Sequence, residues 1–224
     1  MQNSSIYLSK LKIHYGNTVL FNDLSLDIKE GQWVEIIGKN NTGKTSLLNT
    51  LYGLHHELAG QIKILDHGLN PMSGNFSEVR RKIGFFSNSL PLLFSKTLRA
   101  NLSLAYNATN QIIDLELDPF AGGLIDRFKL KDKLLRSIES MSSSEQTLSK
   151  LLRVLVIKPR LILLDSAFRN LDNNSSSLVF DILEEYCLRE NATLVSCTDK
   201  NSQRGPESKQ LYLIDNLGLK QISV

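Results

Sequence analysis

The 224-residue chain predicts an α/β fold with a mainly parallel central sheet. Three observations carry that reading. The loop Gly38-Lys39-Asn40-Asn41-Thr42-Gly43-Lys44-Thr45 matches the phosphate-binding pattern G-x-x-x-x-G-K-[ST] at every fixed position. It follows the apolar run Trp33-Val34-Glu35-Ile36-Ile37 and leads into a helical pattern that begins at Ser46 and covers residues 46–52. Beyond it, short aliphatic runs alternate with helical ones, as they do when helices connect parallel strands.

The elements follow in order. Residues 6–8, 11–15, 19–21 and 24–28 read as short strands with turns, and 24–28 alternates with the period of two of a half-buried strand. Gly31 turns the chain into the strand that feeds the phosphate loop. Residues 60–68 form another strand closed by a turn. Residues 77–86 give a short helix and then the buried strand Ile83-Gly84-Phe85-Phe86. A helix-rich stretch covers 97–158, with 107–120 polar and partly loop. After Pro159 come the strand Leu161-Ile162-Leu163-Leu164-Asp165, a helix over 178–188 and a strand over 193–197. Residues 201–207 are the most linker-like piece, and 210–224 read as a hairpin around Asp215, Asn216 and Gly218. All of this forms one domain, 1–224, with a helical subdomain at about 88–158 inserted into the α/β lobe.

Composition limits the function classes. Hydrophobic residues make up 42% of the chain, enough for a globular core. No apolar run is long enough to span a bilayer, and the first residues lack a basic-then-apolar signal. A membrane role is therefore expected to pass through a partner, without direct insertion. The net charge of +3 comes with no basic, aromatic-interleaved stripe, so nucleic acid is not an expected partner. Lys129, Lys131 and Lys133 are interrupted by Asp132 and read as a solvated face. Cys187 and Cys197 lack metal-ligand spacing. Cys197 lies in an apolar strand and reads as a buried small hydrophobe, which fits a reducing, cytoplasmic setting. His14, His55, His56 and His67 do not cluster as ligands.

Each residue type in the loop has a physical task. Glycines let successive backbone N–H groups converge on phosphate oxygens, and the following helix adds its positive N-terminal end. Lys44 reaches the β- and γ-phosphates, and the Thr45 hydroxyl ligates Mg²⁺. Asp165, at the end of a buried strand, is the second Mg²⁺ ligand such a site requires. ATP and Mg²⁺ are the expected ligands.

With these residues in place the chain resembles the ATP-binding cassettes of ABC transporters, within the P-loop NTPase fold. The resemblance runs over nearly the whole length. It adds an antiparallel N-terminal β subdomain and the inserted α-helical subdomain. Tyr15 falls where such cassettes place an aromatic against adenine. Residues 83–88 resemble the strand entering the glutamine loop. Ser142, Ser143, Ser144, Glu145 and Gln146 stand at the LSGGQ-type signature, and Asn170-Leu171-Asp172 resembles the D-loop. The format is most similar to bacterial cassettes of the cell-division and lipoprotein-release type. The resemblance implies head-to-tail pairing with a second cassette, either a copy of this chain or an intact paralogue. It also implies docking on an integral-membrane, permease-like subunit through the apolar segment carrying Leu90, Leu92, Leu93 and Phe94.

Four positions depart from that pattern. Ser166 replaces the glutamate that polarises the attacking water, and losing a general base costs about 10²–10⁴ in rate. Asn88 replaces the glutamine that senses Mg²⁺ and the γ-phosphate. Thr198 replaces the switch histidine; it keeps a hydrogen-bonding hydroxyl but no positive charge. Ser143 and Ser144 replace signature glycines, which threatens crowding or a forbidden backbone angle. Asn40-Asn41-Thr42 threatens to stiffen the phosphate loop. The combined expectation is a hydrolysis-impaired, nucleotide-binding subunit. The alternative is an active ATPase in which Asp199 or a partner residue replaces the missing base.

Overall fold

The computed structural model describes residues 3–54, 58–65, 67–68, 76–87, 90–109, 115, 118–202, 204–215 and 217–222. Asn88, Ser89, His55, His56, Asn216 and residues 110–114 lie outside this set, so the readings made at those positions are left where the sequence put them.

Among the described residues, ten strands form two sheets. The first is antiparallel, built from β1 (Ser4–Tyr15), β2 (Thr18–Lys29), β4 (Leu58–Ile64) and β5 (His67–Gly68), in the order β2-β1-β4-β5. The four short strands expected over residues 6–28 are two long ones. Pairing continues through register shifts at Leu8/Leu11 and Leu11/Ile13. Lys10 and Asp23 there take positive φ angles of 51° and 60°. These are bulges, which insert residues and sharpen the twist without ending the ladder, so a broken alternation in sequence resembles a turn.

The second sheet carries the chemistry. Its order is β10-β9-β3-β8-β7-β6, formed by β3 (Trp33–Ile37), β6 (Ile83–Phe86), β7 (Leu161–Asp165), β8 (Thr193–Thr198), β9 (Gln210–Asp215) and β10 (Gly218–Ile222). All neighbours are parallel except β10, which returns antiparallel on β9 as the expected hairpin. Strands β6 and β7 are buried at every position, which is why they read as continuous apolar runs. Parallel registry brings several C-terminal ends to one edge: Ile37 pairs with Thr198, and Asp165 with Cys197. Ligand sites of open α/β sheets lie at this edge.

Among the described residues, six α-helices flank the sheets: α1 (Lys44–Tyr52), α2 (Phe76–Arg80), α3 (Leu98–Asn107), α4 (Pro119–Arg127), α5 (Ser143–Val156) and α6 (Asn173–Glu190). Helix α1 starts two residues before the expected Ser46, because Gly43 caps it in the left-handed conformation. Helix α6 starts at Asn173, not 178. Its first turn is polar and shows no apolar stripe, but Asp172 caps it by accepting from the backbone N–H groups of Asn174 and Ser175.

Two apolar clusters hold the layers. One joins β1, β2, β4 and α1 to one face of the parallel sheet; the other joins α3 to α6 to the opposite face. Gly84 fixes the spacing on that second face. A Cβ there would stand 2.7 Å from Val154 Cγ1 and 2.8 Å from the Val154 carbonyl oxygen. Only glycine lets α5 close on β6. Among the described residues, no helix is long and apolar enough to cross a membrane.

Candidate functional site

The phosphate loop leaves β3 at Ile37 and curls over the sheet edge. Asn41 and Gly43 take positive φ angles of 65° and 93°. Asparagine tolerates that region better than other side chains, so the feared stiffness at Asn40-Asn41-Thr42 does not stop the loop from closing. Thr42 Oγ1 donates to the Lys39 carbonyl at 2.9 Å. Lys44 Nζ donates to the carbonyls of Gly38 (2.5 Å) and Lys39 (2.7 Å), and the lysine is buried. The carbonyls hold its ammonium inside the ring of the loop. Behind it lies Cys197, fully buried, whose thiol is pushed upward by desolvation. Cys187 is raised likewise, to about 12, so both thiols stay protonated and inert at neutral pH.

Thr45 Oγ1 donates to Asp165 Oδ2 at 2.8 Å. The first turn of α1 and the end of β7 thus place two hard oxygen donors side by side at the mouth of a phosphate cradle. This donor set fits Mg²⁺, which binds few protein oxygens and completes its octahedron with water and phosphate oxygens.

These groups line a cavity of about 680 Å³. Its walls include Tyr15, Asn40 to Ser46, Phe86, Thr147, Lys150, Asp165, Ser166, Arg169 and Asp199. Tyr15 closes the β1–β2 hairpin and is 71% exposed, so an aromatic side chain is available on the cavity wall. Asp165 and Asp199 are the carboxylates among the described lining residues.

Asp199 changes the electrostatics. Its Oδ1 lies 3.0 Å from Lys44 Nζ, and its Oδ2 accepts from Arg169 Nη2 at 2.5 Å. The hydrogen bond from Lys44 foremost, and that from Arg169, hold its carboxyl below the usual carboxylate range. Such a group is a poor proton acceptor near pH 7. The Asp199 carboxylate therefore does not have the character of a replacement base.

Ser166 lines the cavity directly after Asp165, with φ 52°. Its N–H donates to the Cys197 carbonyl at 3.0 Å, which ties the turn to β8. Thr198 does not point where a phosphate-sensing group is required. Its Oγ1 lies 3.1 Å from Glu35 Oε1 and 2.7 Å from the Lys200 carbonyl. One hydroxyl hydrogen cannot serve both acceptors and a phosphate oxygen as well. The hydroxyl kept at this degenerate switch position is thus engaged within the protein, and the next residue, Asp199, lines the cavity.

Glu35 itself was missed. It sits fully buried in β3 and pairs with Lys209 Nζ at 2.8 Å. Ser202 adds two donors, N at 2.8 Å and Oγ at 2.9 Å. Ser202, within the stretch read as most linker-like, is thus pinned to the sheet. The charge inside an otherwise apolar run was the available signal.

The signature positions form the start of α5. Ser142 is the N-cap: its Oγ accepts from the Glu145 N–H at 3.2 Å, and the Ser142 N–H donates to Glu145 Oε2 at 2.8 Å. This capping box satisfies two helix-end donors reciprocally. Ser143 and Ser144 lie in regular helix and are absent from the residues with positive φ, so neither violates a glycine-only angle. Gln146 Nε2 donates to the carbonyls of Ile138 and Met141. Lys133, read as part of a solvated face, makes a close ion pair with Glu145. Lys131 does remain a surface residue, facing Asp126 at 3.3 Å.

A phosphate loop, a paired magnesium-type donor set and a capped helix presented outward define a nucleotide-binding cassette of the P-loop class. The family comparison agrees: the ABC transporter family model matches residues 21–169, and the chain belongs to that family as an ATP-binding cassette. It is 27% identical over 215 residues to the lipoprotein-releasing system ATP-binding protein LolD of Leptospira interrogans, covering 95% of this chain and 90% of that one. To LolD of Rickettsia typhi it is 29% identical over 228 aligned positions, covering both chains completely. The dimeric cassette MJ0796 superposes with a TM-score of 0.86 at 22% identity, over 98% of this chain and 99% of that one.

Proposed function

We propose that this cassette binds Mg²⁺-ATP, pairs head to tail with a second cassette and acts on an integral-membrane partner through nucleotide binding, with hydrolysis impaired. The observation that carries the reading is an asymmetry within one cavity. The binding half is assembled, with Lys44 inside its loop and Thr45 on Asp165 at 2.8 Å. The hydrolytic half has Ser166 where a base is needed, and the second lining carboxylate, Asp199, is held by two cations.

In this reading the loop N–H groups and Lys44 hold the phosphates, and Tyr15 stacks on the base. Thr45 and Asp165 hold Mg²⁺, which when bound supplies charge neutralisation between the phosphates. Ser142 offers its hydroxyl, and the first N–H groups of α5, to the nucleotide of the opposing cassette. Because Ser143 and Ser144 keep helical geometry, pairing is weakened by crowding alone. Two supports favour a membrane partner. Whole-length similarity to lipoprotein-releasing cassettes is one. The other is an apolar groove of about 840 Å³ beside α3, lined by Leu90, Leu93, Leu104 and Arg153 among others. Arg153 donates to the carbonyls of Leu90 and Pro91, and Asn101 brackets Leu93, so the segment is held in place. Leu93 and Phe94 are exposed, whereas Leu92 is core.

The deciding experiment is a single-turnover assay with labelled Mg-ATP and excess protein, with Lys44→Ala as the control. Bound ATP that stays intact for hours supports the reading. Cleavage at a rate of about 1 s⁻¹ or faster, abolished in Lys44→Ala, overturns it in favour of an active ATPase with a replacement base.

A further inference from the structure

Among the described lining residues, one cation stands outside both the phosphate loop and the Asp199 pair. Lys150 lies on α5 and lines the wall together with Phe86, Asp165 and Ser166. Its Nζ stands 5.6 Å from the Phe86 ring centroid. The other cations on this wall set are committed: Lys44 to two loop carbonyls and Asp199, Arg169 to Asp199. Lys150 has no salt bridge among the described residues. Its neighbouring charge is Arg153, and burial foremost, then that repulsion, push its ammonium below the ordinary lysine range. A half-buried cation beside another cation, facing a polar cavity, is a site for an anion.

The backbone locates it. Gly84 and Phe86 share one face of β6, and Val154 and Lys150 share one face of α5 a turn apart. Val154 closes on Gly84, which sets Lys150 over Phe86. Phe86 pairs with Leu164, the residue before Asp165. Adjacent strands are about 4.8 Å apart, so Lys150 stands over the strand next to the one that delivers Asp165, on the same cavity wall.

We infer that Lys150 is a ligand of the terminal phosphoryl group and makes the cavity select nucleoside triphosphate over diphosphate. This rests on the reading of the cavity as a nucleotide site. An ammonium on this wall approaches the last phosphate from the side opposite the loop. A diphosphate, seated on the loop and Lys44, stops short of it. The cation–π contact with Phe86 keeps the ammonium poised without an anion of its own.

The test is calorimetric titration of the purified chain with ADP and with the triphosphate analogue carrying an imido β–γ bridge, in Mg²⁺ buffer. The variants are Lys150→Met, which keeps the apolar stem over Phe86, and Lys150→Arg, which keeps the charge. Thermal melts of the free proteins confirm folding. The expected result is that Lys150→Met weakens the triphosphate about ten-fold or more, the scale of a lost charged hydrogen bond, while ADP changes less than about two-fold. Lys150→Arg is expected to retain most of the discrimination. Equal loss for both nucleotides, or no loss for either, overturns the inference and leaves the nucleotide site standing. If the wild-type chain binds neither nucleotide, the reading of the cavity falls and the inference falls with it.

Discussion

The Asp199 carboxylate sits 3.0 Å from Lys44 Nζ, on the ammonium that a phosphate has to reach. A phosphate bound to Lys44 would have to displace this carboxylate or share the lysine with it. Removing its charge is therefore expected to tighten binding. The pair is partly exposed, with Asp199 at 36% of its side-chain surface, so its strength is screened. Asp199→Asn should improve ATP affinity by up to about five-fold, matching the ~1 kcal/mol ceiling of an exposed ion pair. Because the Asp199 carboxyl is held below its ordinary range, this lock stays constant above the usual carboxylate pKa and opens only in acid. Titrations at pH 6 and pH 8 should give the same ratio of variant to wild type.

Ser166 follows Asp165 in the wall of the cavity. Ser166→Glu places a carboxylate beside the expected path of the attacking water. A positioned general base contributes about 10²–10⁴-fold, but the other substituted positions remain. The expected gain in single-turnover hydrolysis is about ten-fold or more, with Lys44→Ala defining the background. No gain would mean that the turn at Ser166, with φ 52°, directs the new side chain elsewhere.

The start of α5 can be read by stability. Ser142→Ala removes the cap acceptor and should cost about 1 kcal/mol, or about 2–4 °C in a chain of this size. Glu145 gives a pH signature. Its carboxyl is depressed by Lys133 first and by the Ser142 N–H second. A depressed carboxylate stabilises the fold above its unfolded pKa, and that contribution is lost as pH falls through the folded value. Glu145→Gln should therefore melt lower than wild type at pH 7, by no more than about 1 kcal/mol for a partly exposed pair. The gap should close below about pH 4.

Much of this architecture was legible because it is local. The phosphate loop and the buried strands ending at Ile37 and Asp165 each announce themselves within a few residues. What stayed hidden depends on distant partners. The bulges at Lys10 and Asp23 look like turns until the neighbouring strand is seen to continue. Nothing near Lys150 in sequence marks it, since its place on the cavity wall depends on the approach of Val154 to Gly84. Thr198 stood at the right position, but its hydroxyl is claimed by Glu35 and Lys200, which no motif reveals.

Glu35 supplies the sharpest test of the fold. It is fully buried, and its partners Lys209 and Ser202 both come from the segment before β9. Lys209 also donates to the carbonyls of Ser202 (2.5 Å) and Arg204 (2.8 Å), so the pair fastens the approach to β9 onto β3. Removing one partner strands a charge in the interior, at a cost of about 3–5 kcal/mol. Replacing both with apolar groups removes the desolvation penalty along with the attraction, and is often close to neutral. Lys209→Met should thus lower urea stability severely, while Glu35→Leu combined with Lys209→Met should recover more than half of the loss. Ser202 and Thr198 would still lose an acceptor in the double variant, which sets the recovery short of complete. Equal destabilisation of the single and double variants would show that the network holds the segment by its hydrogen bonds to Ser202 and Arg204 alone, and not by the buried ion pair.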